Sequence, residues 1–275
     1  MNQVFSPSRF GRLLRKYFTD NRGQLLANLA LLAGGLATAS FIFYLDPPQS
    51  VNYIRPILFF MVGWGTWYVF IWQQTEALNQ RERAITYLMQ PASKLEKIVL
   101  TWLVSGVGFL VVYLLVFTAL DAVGVAWVNN KQWAPGQLRE ISSYQLVPWY
   151  QSKAFSGLAS LLLVWSGLLH PFAMAFCLTF RRYALPLVAV LAFVLVMGGF
   201  LANSAILGQL LGVESGSVNN AFPFSNFWIR SPLNREFRQV DLPQPIGNQI
   251  RYSVGTVAVV LLYVTAYFRL KEREV

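Results

Sequence analysis

The sequence predicts an all-α integral membrane protein with six transmembrane helices, and two observations support this fold class. First, 55% of the 275 residues are hydrophobic and only 12% are charged, whereas a soluble domain usually carries about 25% charged residues. Second, six intervals without a charged residue are long enough, or nearly so, to cross a hydrocarbon core, which takes about 20 helical residues. Because one arginine at the centre of a span costs about 2.5–3.5 kcal/mol, these intervals indicate spans.

The six intervals predict one transmembrane domain over residues 1–275. They lie between Arg22 and Asp46, Arg55 and Glu76, Lys97 and Asp121, Lys153 and Arg181, Arg182 and Glu214, and Arg251 and Arg269. The expected spans are 23–45, 56–75, 98–120, 154–180, 183–206 and 252–268. The first apolar run is longer than the core of a cleaved signal peptide, which is about 7–15 residues, so we expect this span to be retained.

The 22 Lys and Arg residues are distributed unevenly among the connecting segments. The N-terminal segment, residues 76–97, Arg181–Arg182 and the C-terminal tail hold 14 of them, and the other three segments hold 8. Basic residues near the ends of spans stay on the cytoplasmic side. We therefore expect both termini in the cytoplasm, which requires an even number of spans. This orientation also accounts for the net charge of +10 without a nucleic-acid partner.

The N-terminal residues 1–22 predict a cytoplasmic amphipathic helix. The apolar side chains that recur at helical spacing on one face are Phe10, Leu13, Leu14, Tyr17 and Phe18. Pro7 suits a first helical turn, and Ser6 or Ser8 can cap it. A basic amphipathic helix before a first span is expected to lie in the inner interface. It serves either as an anchor that sets topology or as an elbow helix that transmits motion.

Residues 76–97 separate two apolar intervals with a second structured segment. Ile85, Leu88 and Met89 have helical spacing. Pro91 disfavours the helical conformation at the preceding residue, so a cytoplasmic helix between the second and third spans should end near Met89.

A new helix is expected to begin directly after this proline. Ser93 and Glu96 have the spacing of a capping box, in which each side chain accepts a hydrogen bond from the backbone of the other. Such a cap is worth about 1 kcal/mol, and the helix that it opens leads into the third span. The resulting corner is either an ordinary connection lying on the membrane or a docking surface for a cytoplasmic partner.

The outer segments are expected at roughly 46–55, 121–153 and 207–251. The last two are rich in aromatic residues, among them Trp127, Trp133, Tyr144, Trp149, Tyr150, Phe222, Phe224, Phe227 and Trp228. Aromatic rings settle at the headgroup level of a bilayer. These segments are therefore either interfacial anchors or short re-entrant or lid helices that cover the outer mouth of a pathway.

The sequence predicts no catalytic, cofactor or metal site. The phosphate-binding pattern G-x-x-x-x-G-K-[ST] does not occur, so ATP hydrolysis would have to come from a separate chain. One histidine and one cysteine cannot form a zinc site. His170 precedes Pro171 in the middle of the fourth interval. It is either a hydrogen-bonded packing residue beside a proline kink or a residue of a transport pathway or proton relay.

The layout and one local pattern resemble a known family of membrane proteins. The segment RERAITYLMQPASKLEKIVL is similar to a pattern of the form Leu-x-x-Pro-Ala-Ser-x-x-Glu-Lys, matched here by Leu88, Pro91, Ala92, Ser93, Glu96 and Lys97. Together with six spans, a basic helix before the first span and a longer outer segment between the fifth and sixth, this pattern resembles the permease of an ATP-binding-cassette (ABC) exporter. The class meant is the short six-span permease without a fused ATPase.

This resemblance implies an outward-moving transport subunit, and not an enzyme, in the plasma (inner) membrane. It implies that the helix between the second and third spans couples to a cytoplasmic nucleotide-binding ATPase subunit through Arg81, Arg83, Ile85, Tyr87, Leu88, Met89, Pro91, Ser93 and Glu96. A second permease copy or a paralogue and membrane lipids would be the other partners. The substrate would be lipid-like, amphipathic or polymeric. The alternative function is a non-transporting scaffold or assembly subunit of a multiprotein envelope complex.

Overall fold

A computed structural model describes residues 5–76, 92–133, 145–156, 160–180, 182–212, 218–219, 226–230, 237–241 and 246–273. The chain divides into two compact units, one formed by Met1–Leu158 with Leu270–Val275 and the other by Ala159–Arg269. Within the described residues, six helices are long and apolar enough to cross a membrane: Arg22–Phe43, Pro48–Glu76, Lys94–Asn130, Leu162–Thr179, Ala184–Leu210 and Tyr252–Glu272. The prediction of a multi-pass membrane protein with six spans is thereby confirmed.

The first unit contains the N-terminal helix and the first three spans. Its helices are α1 (Pro7–Asp20), α2 (Arg22–Phe43), α3 (Pro48–Glu76), α4 (Lys94–Thr101), α5 (Phe109–Asn130) and the short α6 (Lys153–Ser156), which follows a 3₁₀ turn over Trp149–Gln151. The third span consists of α4 and α5 joined by a π-helical segment, Trp102–Gly108. Helices α2, α3 and α5 pack against one another.

We call the end of this unit that carries α1 the α1 end, and the opposite end, at the turn between α2 and α3, the far end. A cluster of buried apolar side chains fills the far end: Tyr44, Val51, Val125, Val128 and Leu146. The helices approach closely at Gly124 of α5, where an added Cβ atom would overlap the ring of Tyr44. Glycine is therefore the residue that this contact accommodates.

The second unit consists of three long helices and a small sheet. Its helices are α7 (Ser160–Thr179), α8 (Ala184–Leu211) and α9 (Ile246–Arg273), the last of which belongs to this unit up to Arg269. Helix α7 packs against α8, and an added Cβ on Gly255 of α9 would lie 2.8 Å from Cγ1 of Val164 on α7. Helix α8 ends at Gly212, which has a φ of 63°. A glycine in this left-handed conformation is a common helix terminator.

A small sheet lies in the segment between the fifth and sixth spans, while the six spans are helical as predicted. Strands β1 (Val218–Asn219), β2 (Asn226–Arg230) and β3 (Phe237–Asp241) form an antiparallel sheet in the order β1-β2-β3. Asn226 pairs with Asp241, and Arg230 pairs with Phe237. Between Gly212 and Ile246, the residues that the structure describes are strands, whereas the sequence analysis considers short lid or re-entrant helices there. The β2 sequence NFWIR is rich in residue types that favour strands.

Candidate functional site

The third span begins with the capping box that the sequence predicts. Ser93 is the N-cap residue of α4, and its hydroxyl accepts a hydrogen bond of 3.2 Å from the backbone N–H of Glu96. The Glu96 carboxylate accepts one of 2.8 Å from the backbone N–H of Ser93. Two N–H groups that no helical carbonyl can reach are therefore satisfied.

The same Glu96 carboxylate binds the N-terminal helix. Its Oε1 atom accepts hydrogen bonds from the backbone N–H of Ser6 at 2.8 Å and from Nη2 of Arg9 at 2.8 Å. Its Oε2 atom accepts a further bond from Nε of Arg9 at 2.8 Å. The Glu96 side chain has 0% of its surface exposed, and that of Arg9 has 28%. The hydrogen bond from Arg9 to Glu96 raises the pKa of the guanidinium, so Arg9 stays charged.

A second contact joins α1 to the end of the second span. The Tyr17 hydroxyl donates a hydrogen bond to Oε1 of Gln74, which lies two residues before Glu76, the last residue of α3. Leu13 is buried on the same helix. Helix α1 therefore contacts both α3, where it leads into residues 77–91, and α4, which follows them. We call the set Ser6, Arg9, Tyr17, Gln74, Ser93 and Glu96 the α1 junction.

The structure describes only two of the predicted coupling residues, Ser93 and Glu96. Arg81, Arg83, Ile85, Tyr87, Leu88, Met89 and Pro91 lie outside the residues that the structure describes. Ser93 and Glu96 are brought together, as described above. Their role in coupling to an ATPase stays a prediction.

Sequence reasoning did not identify Arg9 and Gln74 as partners in this junction. Arg9 is one of several basic residues in the N-terminal segment, any of which could face lipid headgroups or water. One signal was available: a capping-box carboxylate has more acceptor capacity than its own helix uses, and a buried carboxylate needs a cation. The sequence does not show which basic residue supplies it.

The far end carries a second buried charge pair that the sequence analysis missed. Nη1 of Arg55 on α3 lies 3.2 Å from Oδ1 of Asp121 on α5, and both side chains are 1% exposed. The hydroxyl of Tyr44 donates to the same carboxylate, and the backbone N–H of Trp149 donates to its Oδ2 atom at 2.9 Å. Arg55 also donates to the carbonyl of Val147 at 2.8 Å.

The helices that contain the second and third spans extend beyond the predicted spans, and the far-end network pairs the charged residues that they include. The sequence prediction uses charged residues as span boundaries and therefore places Arg55 and Asp121 outside the spans. The helices instead continue past them to Pro48 and to Asn130. A paired, hydrogen-bonded charge is tolerated where an isolated one is not.

His170 has a hydrogen-bonding partner within the second unit. Its Nδ1 atom lies 2.9 Å from the hydroxyl of Tyr263 on α9, and the histidine is 2% exposed. The packing interpretation requires a bond of this kind, while a role in a transport pathway stays a prediction. Among the residues that the structure describes, no group of three or more His, Cys, Asp and Glu side chains could hold a metal ion.

Comparison of the chain with protein-family models, with curated proteins and with solved structures gave no match.

Proposed function

We propose that the protein is the permease subunit of an ATP-driven exporter of the ABC type, which moves a lipid-like, amphipathic or polymeric substrate outward. The observation that carries this proposal is the α1 junction. Helix α1 is bonded at one point to α3 and at another to α4, and these helices flank residues 77–91. A force applied to that segment would reach two spans and the N-terminal helix together.

The local chemistry of the junction suits the transmission of movement. The Glu96 carboxylate is held by charge-assisted hydrogen bonds from a planar guanidinium, which fix orientation better than a single point contact does. The capping box makes α4 start at a defined residue. A displacement of the chain before Ser93 would thus move α4 as a unit with α1 and would not be absorbed by fraying.

The proposal requires a second polypeptide that hydrolyses ATP. It would be a cytoplasmic nucleotide-binding subunit that docks on the segment from Arg81 to Met89, with both termini of the permease on the same side in the plasma (inner) membrane. A second permease copy or a paralogue would complete the transporter. The alternative, a non-transporting scaffold of an envelope complex, shares the six spans but requires no ATPase.

The test is co-purification of the full-length protein from its native membrane, followed by identification of its partners and measurement of ATP hydrolysis. We expect an ATPase to co-purify with the wild type and to be lost from the Leu88→Asp variant. The matched control is Leu45→Asp, which places the same charge on an exposed residue at the far end and should retain the partner.

Two results would count against the proposal, and they separate its parts. If no ATPase accompanies the wild-type protein, the exporter function fails and the scaffold is favoured. If an ATPase accompanies a folded Leu88→Asp variant as well as the wild type, the assignment of the docking site to this segment is wrong, while the exporter function stands.

A further inference from the structure

An apolar groove runs along the first unit at its α1 end. Its volume is about 810 Å³, and residues of α1, α2, α3, the π-helical segment and α5 line it. Pockets for small ligands usually measure about 300–1,000 Å³, so the groove can hold a molecule of lipid size. Leu14 and Phe18 of α1 form part of its wall. The occupant would therefore contact the helix that forms the α1 junction.

The length of the groove matches one leaflet of a bilayer. Its lining residues on α2 run from Arg22 to Leu32, which at about 1.5 Å per residue is roughly 15 Å. Half of a hydrocarbon core is also about 15 Å thick. On α3 the lining residues run from Gly65 to Gln73, a similar length. The groove thus extends from the α1 end to about mid-membrane.

In the part of the chain that the structure describes, the wall of the groove carries one charged side chain and few polar ones. Asn28 donates a hydrogen bond of 2.8 Å to Oε1 of Gln73 across the groove wall. This bond satisfies one donor of the Asn28 amide and one acceptor of the Gln73 amide. Arg22, the first residue of α2, is the charged residue among the described lining side chains, and the rest of the wall is almost entirely apolar. A cation at one end of an apolar groove complements an anionic headgroup with acyl chains.

We propose that this groove binds a single anionic phospholipid from the leaflet at the α1 end, with its phosphate at Arg22 and its acyl chains along α2 and α3. This inference does not rest on the exporter function. A scaffold protein with the same fold would bind the same lipid. The bound lipid would act as a packing element between α1 and the spans, because its chains complete the contact surface of Leu14 and Phe18.

The experiment is native mass spectrometry of the full-length protein in detergent, titrated with dioleoylphosphatidylglycerol or dioleoylphosphatidylcholine. We expect one tightly retained phosphatidylglycerol. Arg22→Gln should weaken its binding roughly tenfold, the effect of one charge-assisted hydrogen bond. Gly65→Leu should abolish retention of either lipid, because Gly65 lines the groove and has open space at its Cβ position.

Two matched controls distinguish lipid bound specifically in the groove from lipid bound non-specifically around the protein. Arg12→Gln removes the same charge from an exposed residue of α1, and Gly34→Leu adds the same side chain to α2, where the Cβ position is also open and outside the groove. Both controls should bind like the wild type. Equal affinity of the wild type for the two lipids, or an equal loss in Arg12→Gln and Arg22→Gln, would overturn the proposal. If Gly65→Leu fails to fold, the comparison of Arg22→Gln with Arg12→Gln tests the proposal by itself.

Discussion

Two buried carboxylates, Glu96 and Asp121, lie at opposite ends of the third span, and each is surrounded by hydrogen-bond donors. Glu96 accepts from Ser6, Arg9 and Ser93, while Asp121 accepts from Tyr44, Arg55 and Trp149. A buried charge with its donors in place costs little, whereas the same charge with one partner removed is strongly destabilising. Glu96 therefore joins the N-terminal helix to the start of α4, and Asp121 joins α5 to the end of α2, to α3 and to the turn at Trp149.

Asp121→Asn should destabilise the protein by about 3–5 kcal/mol, because it leaves the buried Arg55 guanidinium without its counter-charge. The loss should appear as a lower unfolding temperature of the purified full-length protein in detergent. Its matched control is Asp46→Asn, which removes a carboxylate from an exposed turn and should stay within about 0.5 kcal/mol of the wild type. Equal stability of the two variants would show that the Arg55–Asp121 pair does not hold the far end together.

Only the local part of this chemistry could be predicted at the scale of residues. The bonds between Ser93 and Glu96 follow from a spacing of three residues and were predicted correctly. The bonds from Ser6 and Arg9 to Glu96, and from Arg55 to Asp121, join residues that are 90, 87 and 66 positions apart. Such pairs depend on how the helices pack, and a single sequence carries no direct record of that packing.

At the scale of elements, the contacts that hold α1 include specific polar bonds to two of the spans, and one residue of the helix is buried. Leu13 is its buried residue, and its polar bonds go to Gln74 and Glu96. A helix of 14 residues is marginal in isolation, since most helical stability in proteins comes from packing. The docking of α1 should therefore depend on the Arg9–Glu96 pair more than a core helix depends on any one contact.

Arg9→Gln should make the backbone amides of α1 exchange hydrogen about tenfold faster, because local opening of a weakly packed helix sets that rate. Amides in the middle of α3 should be unaffected. The measurement is hydrogen–deuterium exchange with mass spectrometry on the full-length protein in detergent. Arg12→Gln, which changes an exposed arginine on the same helix, should leave α1 protected. Identical protection in both variants would mean that Glu96 does not hold the helix.

The helices were easier to predict than their bounds or the strands. Apolar length predicts a span, because no other structure of about 20 apolar residues satisfies its backbone within lipid. Helices α3 and α5 continue past the charge-based bounds, and the two charged residues that they include, Arg55 and Asp121, form an ion pair. The strands at 218–219, 226–230 and 237–241 were not recognised, because a short strand carries little periodic signal and its stability comes from pairing with neighbours.

At the scale of the whole molecule, the distribution of Lys and Arg predicts that both termini face the cytoplasm. Gly11→Cys on α1 should react with a membrane-impermeant maleimide only after the cell membrane is opened. Gln132→Cys, beyond the end of α5, should react in intact cells. Cys177 is buried, so the wild type serves as the unlabelled control. Labelling of Gly11→Cys in intact cells would reverse the orientation and exclude a cytoplasmic partner at residues 77–91.

The contact between Ser6 and Glu96 also sets an order of events during synthesis. These residues are 90 positions apart, so the first helix leaves the ribosome long before the carboxylate that holds it exists. Translation at about 5–20 residues per second leaves the helix undocked for several seconds. During that time its basic side chains can bind the membrane surface. The helix can form its bond with Glu96 only after the third span has been inserted. Insertion of that span is therefore the step that allows the N-terminal helix to dock.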